Sequence, residues 1–237
     1  YHNATYPGTV LVPWGWTTER TANDAELNAI AHRYADHNGY AVQYALYPVS
    51  GNTRDWGYGE LGVPSYVIEL QGSQFVTSCR ERDEVLRHNL AAMQMLLSIA
   101  DRPFERVAAP ELVRLAIAPA DEDVLAMRIA SRATTMRAGR QNVASVEAWL
   151  TTADGAPVAG FPHPDTGPGI ALDPVDGAYD EPSETVDGIV SLAGVPPGRY
   201  LVHVAARDGA GRLGPPLARW VETWIDARPA AAPRDVR

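Results

Sequence analysis

The first part of the chain alternates short apolar runs with a longer amphipathic stretch. Apolar runs at residues 9–12, 41–46 and 65–70 predict three strands. Four apolar residues at helical spacing, namely Leu27, Ile30, Ala31 and Tyr34, predict a helix after the first strand. A capping box at residues 23–26 would begin this helix, and Gly39 would end it.

A second, longer helix is predicted over residues 80–100, ahead of Pro103. Its expected buried stripe repeats every three or four residues and consists of Leu86, Leu90, Met93 and Leu97. Strands interleaved with helices indicate an α/β layer. We therefore assign residues 1–103 to an α/β domain.

Beyond the second helix the helical period disappears, and short segments of alternating polarity follow. Strands are predicted at residues 112–117, 125–133, 143–150, 189–192, 200–207 and 218–225. Turn dipeptides such as Asp154-Gly155 separate these strands. The pattern predicts an all-β sandwich domain at residues 112–228, joined by a linker at 104–111 and followed by a disordered tail at 229–237.

The composition narrows the possible classes of function. With 237 residues, the chain is long enough for one large domain or two ordinary ones. A net charge of −9 gives no electrostatic footprint for nucleic acid, and no apolar run approaches the roughly 20 residues of a membrane span. The single Cys79 excludes an internal disulfide framework. All 20 basic residues are Arg, which together with the many Ala residues indicates a GC-rich bacterial genome.

The strand predicted at residues 65–70 has a carboxylate, Glu69, in its apolar middle. If the strand is buried, an ionised carboxylate there destabilises the fold unless a cation or a hydrogen-bond donor compensates it. Two explanations are open from the strand alone. Either Glu69 faces solvent at a strand edge or pairs with an arginine, or it belongs to a site that supplies a cation.

The residues before Glu69 resemble those of a known family. Residues 47–51 read YPVSG, Asp55-Trp56 follows, and Glu69 lies 13 residues after Trp56. This arrangement is similar to that of the zinc carboxypeptidases of the carboxypeptidase A/B type, the M14 metallopeptidases, in which such motifs precede the catalytic glutamate. The resemblance covers residues 1–103 and implies the C-terminal half of a mixed-sheet α/β catalytic domain.

The resemblance implies a role for each matching residue in peptide hydrolysis through a zinc-bound water. Glu69 would be the general base, Tyr47 would cap the bound substrate, and His2 would be one zinc ligand. Arg54 would lie at the base of the pocket for the substrate's C-terminal side chain, where a guanidinium favours Glu or Asp. Phe75 would line the cleft. The alternatives are a surface histidine, two packing aromatics, and an arginine that is solvated or paired with its neighbouring aspartate.

The expected metal site is incomplete in this chain. The family's first two zinc ligands come as His-x-x-Glu, and no histidine here is followed by Glu at that spacing. The chain begins with Tyr-His and shows no signal segment, so we interpret it as part of a longer protein that supplies the other ligands of one Zn²⁺ site upstream. The chain alone should therefore neither bind zinc tightly nor hydrolyse peptides.

The β-rich half resembles, more loosely, the Ig-like or fibronectin-like modules of secreted bacterial enzymes, on the stretches DPVDGAYDEPSE and PPGRYLVHVAARDGAGRLGP. Its acidic loop at residues 173–184 matches no EF-hand spacing and is interpreted as solvated. The expected protein is a secreted bacterial zinc carboxypeptidase that acts on peptide or protein C-termini. A cell-wall peptide hydrolase is open within the family. The alternative outside it is an inactive peptidase remnant that serves as an extracellular binding or adhesion module.

Overall fold

A computed structural model of the chain describes residues 8–72, 78–120 and 125–223 with their side chains, and residues 2–3 and 123–124 as backbone alone. The chain forms two compact units. The first contains residues 1–110, 137–140 and 212–215, and the second contains residues 111–136, 141–211 and 216–237. Within the described residues, no helix is long and apolar enough to cross a membrane.

The first unit has a mixed α/β fold. Its elements in chain order are β1 (His2–Asn3), β2 (Thr9–Leu11), α1 (Asp24–Asn38), β3 (Ala41–Gln43), α2 (Thr53–Leu61), β4 (Val67–Leu70), α3 (Cys79–Ile99) and α4 (Pro103–Ala108). The sheet order is β1-β4-β2-β3; β4 is antiparallel to β2, and the two outer pairs are parallel. The predicted α/β class is confirmed, although the strands are shorter than expected and the sequence pattern does not predict α2.

Helix α1 forms where the apolar spacing predicts it, and all four residues of its predicted apolar face are buried. Gly39 ends the helix in the left-handed conformation (φ 73°) and donates its N–H to Ala35 O at 2.7 Å. The predicted capping box does not form. Instead, the Asn23 side chain accepts a hydrogen bond from Tyr58 Oη at 3.0 Å, which joins α1 to α2.

Helix α3 is present as predicted, but the prediction of its buried face is wrong. The predicted stripe is exposed, with exposed fractions of 60% for Leu86, 58% for Leu90, 44% for Met93 and 76% for Leu97. The helix turns another face inward, where Asn89 accepts a hydrogen bond from Tyr34 Oη (2.8 Å) and donates one to Tyr40 Oη (3.0 Å). The buried side combines this polar residue with the apolar Val85, Ala92 and Ile99, whereas the larger apolar residues that set the sequence period lie on the exposed side.

Helix α4 occupies most of the segment predicted as a linker. Pro103 is its first residue, a position that proline favours because its fixed φ suits the first turn. Phe104 and Val107 pack near Ile30 of α1, and Arg33 donates a hydrogen bond to Val107 O at 2.9 Å. The predicted domain boundaries themselves stay a prediction.

The second unit consists of two antiparallel sheets. Its strands are β5 (Glu111–Ala120), β6 (Asp123–Thr134), β7 (Val143–Thr152), β8 (Ile170–Leu172), β9 (Ser183–Ser191), β10 (Gly198–Asp208) and β11 (Leu217–Thr223). The sheet orders are β11-β10-β7-β8 and β5-β6-β9, and inward residues of both sheets share one hydrophobic core. Tyr200, Val202 and Val204 are buried on one face of β10, as the alternation predicts. The Ig-like assignment stays a prediction.

Candidate active site

Glu69 lies in the interior of the first unit's sheet. It is in β4, which has a neighbouring strand on each side, and only 3% of its surface is exposed. Its partners in register are Thr9 on β2 and His2 on β1. The alternative of a solvent-facing glutamate at a strand edge is therefore wrong. An acid buried this deeply needs a nearby positive charge or a hydrogen-bond donor.

A small cavity opens above Glu69. Its volume is about 180 Å³, and its lining residues include three of the predicted site residues, namely Tyr47, Arg54 and Glu69. Tyr47 is 69% exposed, so it lies at the rim, whereas the two charged residues are buried at the base. Leu11 and Val67 contribute apolar wall on either side. The structure thus joins residues that are up to 22 positions apart in sequence.

Arg54 is a buried cation at the base of this cavity, with 2% of its surface exposed. It lies in the first turn of α2, and its Nε is 3.5 Å from Asp55 Oδ1. Within the described residues, neither Nε nor Nη1 of Arg54 has a hydrogen-bond partner. Burial lowers the pKa of Arg54, against the opposing effect of the Asp55 and Glu69 carboxylates. The alternative of a solvated arginine is wrong, while the pairing with Asp55 is present.

Asp55 fixes the turn that follows β2 against the start of α2. Both of its carboxylate oxygens accept the Gly15 N–H, at 2.9 and 3.0 Å, and Asn52 Nδ2 donates to Oδ2 at 2.7 Å. Asn52 is also the N-cap of α2, because its Oδ1 accepts the Asp55 N–H at 2.9 Å. Asp55 is therefore held by hydrogen bonds to the backbone and to Asn52, beside the Nε of Arg54.

Gly15 is a site residue that the sequence does not single out. A Cβ added at this position would lie 1.9 Å from Arg54 Nη2, so any other residue would displace the guanidinium from its present place. The signal that could identify it is the turn PWG at residues 13–15, which the sequence shows directly after the first strand. The contact with Arg54 cannot be read from that turn alone.

Of the other two predicted site residues, His2 and Phe75, the structure describes only the backbone of His2. His2 lies on β1 in register with Glu69 on the parallel strand β4. The backbone therefore places His2 beside Glu69 in the sheet. Phe75 lies outside the described residues.

The described part of the chain contains no group of three or more His, Cys, Asp or Glu residues that could hold a metal ion. A catalytic zinc site takes three protein ligands and an open position for water or substrate. The described residues therefore do not form such a centre by themselves. They form the buried carboxylate and the cavity that would lie beside one.

The comparisons with known proteins concern this same segment. Residues 3–92 match the family model Peptidase_M14, described as zinc carboxypeptidase. A protein named Zinc carboxypeptidase from Simulium vittatum is 36% identical over 76 residues, which are 28% of this chain and 25% of that protein. Zinc carboxypeptidase A 1 from Anopheles gambiae is 37% identical over 76 residues, which are 28% of this chain and 18% of that protein.

These matches show that residues 3–92 are similar to part of a zinc carboxypeptidase of the M14 family. The matched region spans a quarter or less of each of these two relatives. The family model's match at residues 3–92 contains β2, α1, β3, α2 and β4, and with them all the residues that line the cavity. Both relatives come from insects, so they give no support to the predicted bacterial origin.

Proposed function

We propose that this chain contains part of the catalytic domain of a zinc carboxypeptidase, with Glu69 as the general base. The observation that supports this most strongly is the buried carboxylate of Glu69 beneath a cavity that Tyr47 and Arg54 also line. A sheet interior is an unfavourable place for an acid unless a site requires it. The match of residues 3–92 to the zinc carboxypeptidase model supports the same assignment.

In this proposal each residue has a defined task at the C-terminus of a peptide. Glu69 takes a proton from the attacking water and passes it to the leaving amine. Tyr47, exposed at the rim, donates its phenolic hydrogen to the substrate when the loop closes over it. His2 contributes one ligand to the metal. Zinc, when bound, polarises the scissile carbonyl and lowers the pKa of water.

Arg54 supports a further proposal about the substrate. Its buried Nη1 has no hydrogen-bond partner in the described part of the chain, and an unfilled donor of a buried cation is costly. A carboxylate in the cavity would accept this hydrogen bond and pair with the charge of the guanidinium. We therefore assign to this site a preference for peptides that end in Glu or Asp.

The wider setting of the enzyme is also a proposal. The Arg-only, Ala-rich composition supports a bacterial source, and the looser sequence resemblance supports secretion. The two antiparallel sheets around one core support an Ig-like or fibronectin-like module appended to the catalytic part.

The test of the enzymatic proposal is an assay of C-terminal residue release by the complete product of the gene that encodes this chain. We expect release of single residues from peptides, its loss after removal of metal by a chelator, and its return with added Zn²⁺. A product that binds peptides without hydrolysing them in the presence of zinc would instead support the binding-module alternative.

A further inference from the structure

An exposed tryptophan lies at the free edge of one sheet of the second unit. Trp220 is on β11, the outer strand in the order β11-β10-β7-β8. It keeps 47% of its surface exposed, although Arg199 Cζ lies 4.3 Å from the centre of its ring. Single exposed aromatic residues are common on protein surfaces, so the case for a binding site depends on what surrounds this one.

Two clefts lie along this edge, and Glu222 lines both of them. The first cleft, of about 200 Å³, is also lined by Trp220 and by apolar residues of β5 and β6 that include Ile117 and Met127. The second cleft, of about 360 Å³, is also lined by Arg199 and by the turn residues that precede it. Glu222 therefore stands between an apolar cleft beside an aromatic ring and a more polar cleft beside a guanidinium.

Hydrogen bonds fix the turn that borders the second cleft. Thr223 Oγ1 accepts the Gly198 N–H at 3.0 Å and donates to Pro196 O at 2.8 Å. Tyr200 Oη also donates to Pro196 O, at 2.9 Å. Side chains of both β10 and β11 thus hold this turn in place, and the cleft is formed without a ligand, as binding sites for small molecules usually are.

Arg199 and Glu222 are opposite charges that do not pair with each other. They are in register on β10 and β11, and both are exposed. The guanidinium is stacked over the Trp220 ring instead of bonding to the carboxylate. Among the residues that the structure describes, neither side chain has a salt bridge or a hydrogen bond. The edge therefore offers a donor without an acceptor beside an acceptor without a donor.

One chemical group satisfies both of these side chains. A hydroxyl accepts a hydrogen bond from a guanidinium and donates one to a carboxylate. A ligand with adjacent hydroxyls can therefore bond to Arg199 and Glu222 at once. The same ligand needs an apolar surface to pack against Trp220 in the first cleft. A sugar ring combines the two properties, because its C–H faces are apolar and its hydroxyls project from its rim.

We propose that the sheet edge formed by Trp220, Arg199 and Glu222 is a binding site for a neutral oligosaccharide. One sugar ring packs against the exposed part of Trp220 in the first cleft. Arg199 and Glu222 form hydrogen bonds to the hydroxyls of a neighbouring ring in the second cleft. The ligand is neutral because a charged sugar would be repelled by one of the two side chains. This site gives the second unit a role of its own, that of holding the chain on a polysaccharide.

The test is isothermal titration of the 237-residue chain with linear hexasaccharides of glucose, mannose, xylose and N-acetylglucosamine. At least one of them should form a one-to-one complex with a millimolar or lower dissociation constant. Trp220→Ala should weaken this binding by at least about tenfold, since truncating an aromatic anchor of a binding site costs more than the free energy of a tenfold change. Trp16→Ala removes a comparably exposed tryptophan from the first unit and should leave binding unchanged.

Charge variants decide whether the two polar side chains bind the sugar hydroxyls. Arg199→Met removes the guanidinium and should weaken binding by about tenfold, and Glu222→Gln, which keeps the shape of the side chain, by at least about threefold. Arg219→Met is the matched control, because this exposed arginine is on β11 but on the opposite face of the strand from Trp220. An unchanged thermal unfolding midpoint confirms that each variant folds.

The proposal is wrong if none of these hexasaccharides binds at millimolar concentration, or if Trp220→Ala and Trp16→Ala weaken the binding equally. It is also wrong if the chain binds no sugar but binds an extended peptide that Trp220→Ala releases, because the edge strand β11 would then be a peptide site. The titration involves neither zinc nor hydrolysis, so its outcome is independent of the enzymatic proposal.

Discussion

Glu69 and Arg54 place opposite charges at the base of one small cavity, which is the central feature at the scale of the residue. Each side chain is almost completely buried. Burial lowers the pKa of Arg54, and the nearby Glu69 carboxylate opposes that effect. Buried charges are weak evidence for stability, so the proposed explanation for these two residues is a bound ligand.

Arg54→Leu tests the role of the guanidinium in the choice of substrate. In the complete gene product, we expect kcat/KM for a peptide ending in Glu to fall by roughly 10- to 100-fold, the value of losing hydrogen bonds to a charged group. The rate for a peptide ending in Phe should be maintained or raised. Arg82→Leu, at an exposed arginine of α3, is the control. Faster release of C-terminal Lys than of Glu by the unmodified enzyme would contradict the assignment.

Gly15→Ala tests whether the turn after β2 makes room for Arg54. The added Cβ would lie 1.9 Å from Arg54 Nη2. We expect the free energy of unfolding to fall by about 1–3 kcal/mol, because overpacking moves side chains and backbone. Urea denaturation of the 237-residue chain measures this loss. Gly167→Ala is the matched control, since nothing lies within 4 Å of its added Cβ.

The same substitution in an Arg54→Ala background separates this clash from any other cause. Without the guanidinium, the loss caused by Gly15→Ala should shrink to within about 0.5 kcal/mol. An equal loss in both backgrounds would show that another contact, not Arg54, makes glycine necessary.

At the scale of the element, a buried glutamate of β7, Glu147, accepts a side-chain hydrogen bond from Arg207 of the neighbouring strand β10. Burial by itself would raise the pKa of Glu147, but hydrogen bonds from Arg207, the Gly169 N–H and Ser145 outweigh it and lower the pKa. The unfolded chain has an ordinary glutamate, with a pKa of about 4.3. The native state therefore binds the proton less readily than the unfolded state.

Glu147→Gln tests this linkage through pH. A lowered pKa in the folded state contributes stability that is present above the unfolded pKa and is lost as pH falls through the folded pKa. We therefore expect the variant to be less stable than the unmodified chain at pH 7, and the difference to shrink as the pH falls below about 4. Urea denaturation at several pH values measures it. A difference that stays constant with pH would contradict the lowered pKa.

The sequence pattern predicts the buried faces of some elements correctly and misses those of others. The apolar face of α1 and the alternation along β10 are predicted correctly, because each buries one regular row of side chains. The buried side of α3 is not, because the larger apolar residues of this helix lie on its exposed side, while the buried side includes the polar Asn89. Helix α2 has no apolar period to detect and begins instead with the N-cap Asn52.

The candidate site was predictable only as a set of positions. The spacing of Tyr47, Arg54 and Glu69 identifies them through a family resemblance, and the structure brings all three to one cavity. The contact of Gly15 with Arg54 depends on the path of the turn after β2 relative to α2, which no local pattern specifies. Whether these residues have the proposed roles stays a prediction.

At the scale of the whole molecule, the zinc affinity of this chain tests whether the proposed metal site needs ligands from outside the chain. A catalytic zinc site takes three protein ligands, and the described residues contain no group of three. Isothermal titration of the 237-residue chain with Zn²⁺ should therefore show no stoichiometric submicromolar binding. Submicromolar binding of one zinc ion would contradict the proposal that the other ligands come from elsewhere in the domain.

Zinc-dependent release of C-terminal residues by the complete gene product with Glu69→Gln tests whether the buried acid is the general base. A general base contributes about 10²- to 10⁴-fold to the rate, so we predict a fall in kcat of at least about 10²-fold with the zinc content unchanged. Glu60→Gln, at an exposed glutamate of α2, should retain full activity. Full activity in Glu69→Gln would show that the buried acid is not the general base and would contradict the account.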